Sequence, residues 1–243
     1  KDCDLIIITA GRNRNPGETR LDLIAGNSAI LKNVVDQMKP HYTKGVIMIV
    51  SNPVDVLVYQ CTKWMGLPNG MVFGTGCILD SSRFTRLIAD YTRLNTEVVK
   101  ATIVGEHGDA QIPIWSRVSI AGVPIQEYCE NVGLRWGENI RKDISDKVRE
   151  MGATIIKGKG RTHYGIATCV CYLAEAVLNQ RLTIAPVSTM FQGEYGIEDV
   201  CLSVPSIIGV NGVEKRLEER WAEEEFLAFR QAAEKMRNVL KTL

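Results

Sequence analysis

The sequence predicts an α/β protein in which a doubly wound parallel sheet is followed by an α+β part. Three short apolar runs indicate the sheet: DLIIITAG (4–11), GVIMIV (45–50) and MVFG (71–74). Runs of this kind, without polar alternation, are typical of parallel strands that are covered on both faces. A helical pattern separates each run from the next, so right-handed crossovers and a parallel sheet are expected.

The elements before residue 76 follow directly from this reading. The first run ends at Gly11, and a polar loop, RNRNPGET (12–19), comes after it. The second run leads through SNPVD (51–55) into a helix that extends to about Trp64, and LPNG then forms a turn before the third run. The helix between the first two runs ends before Pro40. Its apolar stripe consists of Leu21, Ile24, Ile30, Leu31, Val34, Val35 and Met38.

From about residue 76 the pattern changes to α+β. Strands and helices no longer alternate regularly, and no repeat, low-complexity tract or flexible linker occurs. We therefore expect two domains, residues 1–75 and residues 76–243. The elements predicted for the second part are a helix over 80–92, a strand running up to His107, short strands around 118–125, helices over 137–157 and 163–179, strands over 186–192 and 199–210, and a helix over 222–242.

The composition excludes several classes of protein. The chain has 29 basic and 28 acidic side chains, a formal net charge of +1, and no prominent basic run. Nucleic acids and anionic membranes are therefore not expected as partners. The longest apolar stretch, residues 165–178, contains Glu175 and is too short to cross a membrane. The opening KDCDLIIITAG lacks a signal-peptide cleavage site.

Cysteine usage indicates a reducing compartment. The seven cysteines include no CxxC pair, and most of them lie in apolar surroundings, as reduced core thiols do. A cytoplasmic location is therefore expected. A metal hydrolase that uses His107, His163, Glu106 and Asp109 is an alternative, but no HExxH or comparable ligand spacing supports it, and no metal is expected.

Polar or small residues stand at the ends of three predicted strands. They are TAG (9–11), VSNPVD (50–55) and GTG (74–76). In open parallel sheets, ligands bind beyond the carboxyl ends of the strands, and glycines there let a ligand approach the backbone closely. The alternative is that these glycines only close the turns between strands and helices.

One histidine lies in an unusual setting. His107 stands in IVGEHGDAQIPIW (103–115), flanked by acidic residues and glycines, and it is either a structural residue or a proton-transfer group. Asp80 and Arg83, in LDSSRF, are three apart and share one helix face. They could form a simple surface ion pair. Next to His107, however, Asp80 could accept a hydrogen bond from the imidazole while Arg83 binds a carboxylate with two parallel hydrogen bonds.

These motifs also occur together in a known family. GETRLDL, VSNPVDVL, LDSSRF, GEHGD, THYGIA and YGIEDV, in this order and spacing, resemble the L-lactate and malate dehydrogenase family over essentially the whole chain. The lactate branch, and its bacterial members above all, is the closer match. Malate-type members usually have methionine after the loop glycine, where this chain has Glu18.

The resemblance implies a fold and an activity. The fold would be the C-terminal half of a Rossmann doubly wound sheet, followed by an α+β catalytic domain. The activity would be that of an NAD-dependent L-2-hydroxy acid dehydrogenase of glycolysis and fermentation, interconverting pyruvate and L-lactate. The partners would be a small hydroxy or keto acid and further copies of the chain, in a homotetramer or a dimer.

The resemblance also implies a role for each matched residue. His107 would be the acid and base, Asp80 its orienting partner, and Arg83 the group that holds the substrate carboxylate. Arg20 would polarise the carbonyl when loop 12–19 closes; its alternative is a solvated residue of a capping segment. The remaining positions are Asn52 and Thr162 for the substrate, and Gly11, Arg12, Asn33, Val50, Asn52 and Thr75 for the cofactor.

The chain departs from the family in three respects. The sequence has no GxGxxG, which suggests that the first quarter of the dinucleotide-binding domain is absent. Such a chain would bind NAD poorly by itself, and an inactive structural fragment is then an alternative to an enzyme. Arg14 is typical of malate-type members and could pair with a second carboxylate, whereas Thr162 favours lactate. Thr85 and Lys100 replace the Arg and His of members activated by fructose 1,6-bisphosphate, so little activation is expected.

Overall fold

A computed structural model of the chain describes residues 2–13, 20–160 and 162–243, apart from the side chains of residues 20 and 21. Seven α-helices lie in this part of the chain. They are α1 (Arg20–Met38), α2 (Val54–Met65), α3 (Ile78–Thr92), α4 (Ile125–Asn131), α5 (Glu138–Lys159), α6 (Tyr164–Leu178) and α7 (Glu223–Leu240).

The same residues contain eleven strands. They are β1 (Leu5–Ile8), β2 (Val46–Ile49), β3 (Val72–Gly74), β4 (Val99–Lys100), β5 (Ile103–Gly105), β6 (Gln111–Pro113), β7 (Ser119–Ile120), β8 (Val123–Pro124), β9 (Thr183–Gln192), β10 (Glu198–Gly209) and β11 (Gly212–Arg216).

The strands form one large sheet and one small sheet. β1, β2 and β3 are parallel neighbours, as the sequence predicts for the three apolar runs. The large sheet continues through antiparallel β9, β10, β5 and β6, and β11 pairs with β10. Gly74 at the end of β3 pairs with Ser188 in β9, so the sheet passes without interruption from the parallel to the antiparallel part. β4, β7 and β8 form the small sheet. The predicted α/β fold class is confirmed.

Alternation along β2 explains why the sheet is covered on both faces. Ile47 and Ile49 pack in the core cluster that includes α1 and α2, whereas Val46 and Met48 pack in the cluster that includes α6. Successive side chains of a strand point to opposite faces, and all four are at most 1% exposed. A strand that is buried on both faces has no solvent-facing position for a polar side chain, so the run is continuously apolar.

Two glycines at the end of β3 serve internal packing. A Cβ on Gly74 would lie 2.5 Å from Val54 and 2.6 Å from Val58, both in α2. A Cβ on Gly76 would lie 2.3 Å from the Oγ of Ser203 in β10, and its φ of +51° also favours glycine. The absence of a side chain at both positions therefore has an internal use, and the expectation that a ligand approaches the backbone here stays a prediction. The two glycines admit the helix and the antiparallel strands.

The second part of the chain differs from the prediction in several details. β5 ends at Gly105, not at His107, because Gly105 has a φ of +90° that turns the backbone out of the strand. The elements missed are β4, β6, α4 and β11, of which the three strands have two, three and five residues. β4 and β6 are too short to show a period, and β11, with the sequence GVEKR, has charged residues at three of its five positions.

Neither a disulfide nor a membrane span occurs in the described residues. Cys3 and Cys171 are exposed thiols and the other cysteines are buried thiols, and burial raises the pKa of Cys61 to about 12. None of the described helices combines the length and the apolar character needed to cross a bilayer.

Candidate active site at the end of the fifth strand

His107 and Asp80 form the centre of the site. The imidazole Nδ1 lies 2.6 Å from Oδ2 of Asp80, and the two side chains are 24% and 4% exposed. An ionised carboxylate only accepts, so Nδ1 carries the hydrogen and Nε2 is left to exchange a proton with a ligand. The pairing that the sequence suggested between these two residues therefore exists, and the ring keeps an exposed part through which a ligand can reach it.

Ser81 connects the helix that carries Asp80 to the strand that leads to His107. Its Oγ accepts a hydrogen bond of 2.9 Å from the backbone N–H of Ile103 and donates one of 3.3 Å to the carbonyl of the same residue. The start of α3 is also tied to β10, because the N–H of Cys77 donates to Oγ of Ser203 at 3.1 Å. These buried contacts fix α3 against the sheet and bring Asp80 next to the turn after β5.

Arg83 lies on the other side of Asp80. Its guanidinium NH1 is 3.4 Å from Oδ1 of Asp80, and its side chain is 14% exposed. A guanidinium has five N–H donors. Among the described residues, the contact with Asp80 is the one hydrogen bond that the guanidinium of Arg83 makes. Donors therefore remain for a carboxylate. On α5, a Cβ added to Gly152 would lie 3.9 Å from NH1, so that helix passes close to the guanidinium.

The surrounding charges favour the protonated form of His107. Burial of the ring lowers its pKa, but the hydrogen bond to Asp80 and the negative charges of Asp80 and Asp55 outweigh burial and the opposing charge of Arg83. The net result is a pKa above the ordinary value of 6.5. A histidine of this kind can give a proton near neutral pH and take it back.

Asp55 is a buried carboxylate that the sequence analysis left without a role. Its Oδ2 accepts a hydrogen bond of 2.8 Å from the backbone N–H of His107, and its Oδ1 accepts one of 2.6 Å from Oγ of Ser188. Asp55 belongs to the quoted motif VSNPVD, so its position in the sequence was visible. Its contacts with residues so far along the chain were not.

A second group of residues lies where β1 and β2 end. Asn27, which is 1% exposed, accepts from the N–H of Arg12 at 2.9 Å and donates to the carbonyls of Arg12 (3.1 Å) and Asn52 (2.6 Å). Ser51 donates to the carbonyl of Ala10 at 2.7 Å. These bonds hold the two strand ends together and leave the side chain of Asn52 exposed. Asn27 is a second residue that sequence reasoning missed.

The residues at this edge suit a dinucleotide. The guanidinium of Arg12 covers Gly26 of α1, where an added Cβ would be 2.7 Å from its Nε. It is a cation that can attract a phosphate, while the exposed amide of Asn52 can bind a carboxamide or a substrate oxygen. At Gly11 a Cβ would come within 3.1 Å of Ser51, so the backbone here passes close to its neighbour.

Comparison with known proteins gives the family. Residues 77–243 match the family model described as "lactate/malate dehydrogenase, alpha/beta C-terminal domain", and residues 1–74 match the one described as "lactate/malate dehydrogenase, NAD binding domain". The chain belongs to the lactate/malate dehydrogenase family. This confirms the resemblance stated from the motifs.

Individual members of the lactate/malate dehydrogenase family resemble the chain over its whole length. The L-lactate dehydrogenase of Thermoanaerobacterium saccharolyticum is 41% identical over 243 residues, which are 100% of this chain and 78% of that protein. The crystal structure of a minor L-lactate dehydrogenase from Enterococcus mundtii, in a ligands-bound form, has a TM-score of 0.94 at 38% identity and covers 100% and 77% of the two chains. An L-lactate dehydrogenase from Clostridium thermocellum has a TM-score of 0.88 at 43% identity, with 100% and 78% covered.

Three of the other predicted cofactor and substrate positions lie near the ends of strands and helices. Val50 and Thr75 stand at strand ends, where their N–H groups donate to the carbonyls of Ile8 and Ile49. Thr162 is exposed just before α6, whose Gly165 abuts Leu79, the residue next to Asp80.

Asn33 lies on a different side of α1 from Asn27. It is exposed on α1 and accepts a hydrogen bond from Gln37 at 2.9 Å. It is also six positions, or about 240° around the helix axis, from Asn27. Its role stays a prediction. Arg14 and the side chain of Arg20 lie outside the described residues.

A separate cavity of about 630 Å³ lies on the far side of α3. It is lined by both positions that the sequence analysis compared with sugar-phosphate-activated members, Thr85 and Lys100. The hydroxyl of Thr85 donates to the carbonyl of Ala101 at 3.4 Å, and Lys100 is exposed. One cation therefore lines the cavity at these two positions, where the activated members have two basic residues.

Proposed function

We propose that the chain is an NAD-dependent L-2-hydroxy acid dehydrogenase and that its reaction is the interconversion of pyruvate and L-lactate. The observation that carries the proposal is the meeting of His107, Asp80 and Arg83 around one partly open position. An imidazole held by a carboxylate, with a guanidinium beside it, suits a molecule that has a carbonyl or hydroxyl next to a carboxylate.

The side chains would divide the chemistry as follows. Arg83 binds the substrate carboxylate and orients it. In pyruvate reduction, protonated His107 donates the proton of Nε2 to the keto oxygen, and Asp80 stabilises the imidazolium until the proton leaves. In lactate oxidation the neutral imidazole accepts the hydroxyl proton. When bound, the nicotinamide gives or receives the hydride.

The remaining roles are proposed on the family resemblance. Arg20 would offset the negative charge that develops on the keto oxygen, Asn52 would bind substrate and nicotinamide, and Thr162 would line the pocket near the substrate side chain. The proposed cofactor contacts are Gly11, Arg12, Asn33, Val50, Asn52 and Thr75. The hydrogen bonds of Asn27 to two of these positions support the proposal, because they hold the edge in one shape.

The wider setting is also proposed. Residues 1–75 would belong to the dinucleotide-binding domain, and residues 76–243 would form the substrate and catalytic domain. We propose a cytoplasmic protein that acts in glycolysis and fermentation and assembles as a homotetramer or dimer. The buried thiols support a reducing location.

Malate dehydrogenase is the second candidate, and Arg14 favours it. A guanidinium in the substrate loop could pair with the second carboxylate of oxaloacetate, which pyruvate lacks. The test compares kcat/KM for pyruvate and oxaloacetate with NADH, using the protein expressed with any sequence encoded upstream of Lys1. We expect pyruvate to be the better substrate. A preference for oxaloacetate would reverse the assignment. In that case Arg14→Gln should shift the ratio of kcat/KM values back towards pyruvate.

The structural-fragment alternative is tested by cofactor binding. Titrating the 243-residue chain with NADH and following tryptophan fluorescence measures its affinity. We expect weak binding, because a GxGxxG turn is missing from this sequence. Micromolar binding would contradict that expectation. A protein that includes the upstream sequence and neither binds NADH nor oxidises it would favour the structural role.

A further inference from the structure

Asp55 stands in the first turn of α2 and is 2% exposed. Both of the hydrogen bonds described above bring a donor to its carboxylate: the N–H of His107 at 2.8 Å and the hydroxyl of Ser188 at 2.6 Å. A buried carboxylate is retained when donors and a positive potential surround it, and the first turn of a helix supplies such a potential. The contacts are those of an ionised acid.

We propose that Asp55 is a positioning residue for proton transfer: its carboxylate holds the backbone N–H of His107 so that the imidazole meets Asp80, and its negative charge favours the imidazolium. This inference rests on the proposed function, because it assigns a role around the same histidine. Asp55 would touch neither substrate nor cofactor, and it would act through His107.

The need for such an anchor follows from the local backbone. β5 ends at Gly105 and β6 begins at Gln111, so His107 lies in a turn outside the ladder between the two strands. Gly105 and Gly108 have φ values of +90° and +144°, which glycine adopts readily. Glycine also has more backbone freedom than any other residue, so these two positions do not by themselves restrain the turn. The sheet therefore does not fix the position of residue 107, and the hydrogen bond from its N–H to Asp55 does.

Ser188 makes the anchor rigid. It is fully buried in β9, where it pairs with Gly74 of β3 and Ser203 of β10. Its hydroxyl therefore holds Asp55 at a point where the parallel and antiparallel parts of the sheet meet. The turn that carries His107 is tied through Asp55 to the most interior strands of the sheet, and not to a loop.

The choice of aspartate over asparagine has a further consequence. A neutral amide oxygen could accept the N–H of His107 equally well, but only a carboxylate adds a negative charge behind the ring. Among the described residues, the groups whose charges act on the imidazole are Asp80 and Arg83 from α3 and Asp55 from α2. The charge of Asp55 raises the pKa of His107, in the same direction as that of Asp80.

The test is Asp55→Asn, read by NMR titration of the histidine side chains in protein labelled with ¹⁵N-histidine. The chain has three histidines, and a His107→Asn variant assigns the signal. Asparagine keeps the shape and an acceptor for the N–H, so we expect a folded protein in which the pKa of His107 is lower by about one unit. The alkaline limb of kcat/KM for pyruvate reduction should move by the same amount, so activity above that limb falls about tenfold.

Ser188→Ala is the matched control. It removes the hydroxyl but keeps the charge of Asp55 and its bond to His107, so the pKa of His107 should stay close to that of the wild type. If Asp55→Asn does not fold, Asp55→Ser supplies a second neutral variant with the same expected shift. A folded neutral variant with an unchanged pKa and an unchanged limb would overturn the inference, as would equal shifts in Asp55→Asn and Ser188→Ala.

The two proposals can fail separately. The titration needs neither substrate nor hydride transfer, so a shifted pKa in a protein without dehydrogenase activity would refute the proposed function and leave the role of Asp55 intact. An active wild type whose His107 titrates identically in Asp55→Asn would refute the role of Asp55 alone.

Discussion

The pair formed by Asp80 and His107 gives the sharpest test of the site. In Asp80→Asn the side-chain oxygen can still accept from Nδ1, so the shape is kept while the charge is lost. The carboxylate is 4% exposed and lies 2.6 Å from Nδ1, so water screens the pair little. The imidazolium then loses its nearest counter-charge, and Arg83, 3.4 Å from the same carboxyl group, loses its partner as well.

The magnitude follows from the burial of the pair. Removing one member of a buried ion pair costs about 3–5 kcal/mol. Because the side chain of His107 is 24% exposed, the lower end of that range applies. A cost of about 3 kcal/mol on the protonated form corresponds to a loss of about 100- to 200-fold in kcat/KM for pyruvate near pH 7. The pKa of His107 should fall, because burial, which lowers it, is then opposed mainly by Asp55.

The assay follows NADH absorbance at saturating NADH between about pH 5.5 and pH 9, the range in which histidine titrates. The loss should be smallest at the acid end, where the ring is protonated even in the variant. Asp109→Asn is the control, because it removes the same charge from an exposed position two residues from His107. A loss below about fivefold for Asp80→Asn, or a large loss with the same dependence on pH as the wild type, would refute the electrostatic reasoning.

Three further predictions concern packing, pH and regulation. Gly76→Ala should lower the free energy of unfolding in urea by about 3 kcal/mol or more. The control Gly66→Ala should lower it by about 1 kcal/mol, because no atom lies within 4 Å of the new Cβ there. Equal losses in the two variants would show that the Cβ added at position 76 does not clash. The contribution of His107 to the free energy of unfolding, measured as the difference from His107→Gln, should be complete below pH 6.5. It should decline as the pH rises through the raised pKa of His107 in the folded protein. A contribution that grows with pH would contradict this prediction. Fructose 1,6-bisphosphate should leave the KM for pyruvate nearly unchanged, because Thr85 brings no cation to the cavity that it shares with Lys100; a large drop in KM would show otherwise.

The sequence predicted the elements whose pattern is local. β1, β2 and β3 were recognisable because a strand buried on both faces must be apolar at every position, as β2 is. The long helices were recognisable from their apolar stripes, and α5 and α6 were placed within one or two residues. The short strands β4 and β6 were missed, because two or three residues cannot show a period.

The chemistry of the site was also predictable, as a set of residue types. His107, Asp80 and Arg83 come from short motifs, and the prediction that they meet agrees with the distances between them. Glycines were harder to interpret from the sequence, because a missing side chain can make room either for a ligand or for a neighbouring helix or strand. The structure assigns Gly74 and Gly76 to contacts with α2, β9 and β10, where the sequence suggested a ligand.

By itself, then, the sequence determined which segments pair as parallel strands and which side chains can move a proton and bind a carboxylate. These properties depend on the residue types and on spacings of a few positions. Only the tertiary structure decided that Asp55 accepts hydrogen bonds from the backbone N–H of His107 and from the hydroxyl of Ser188, which lies 133 residues from Asp55 along the chain. The physical reason is that a buried carboxylate needs donors from whichever strands pack around it, and packing partners so far apart leave no periodic trace in the sequence.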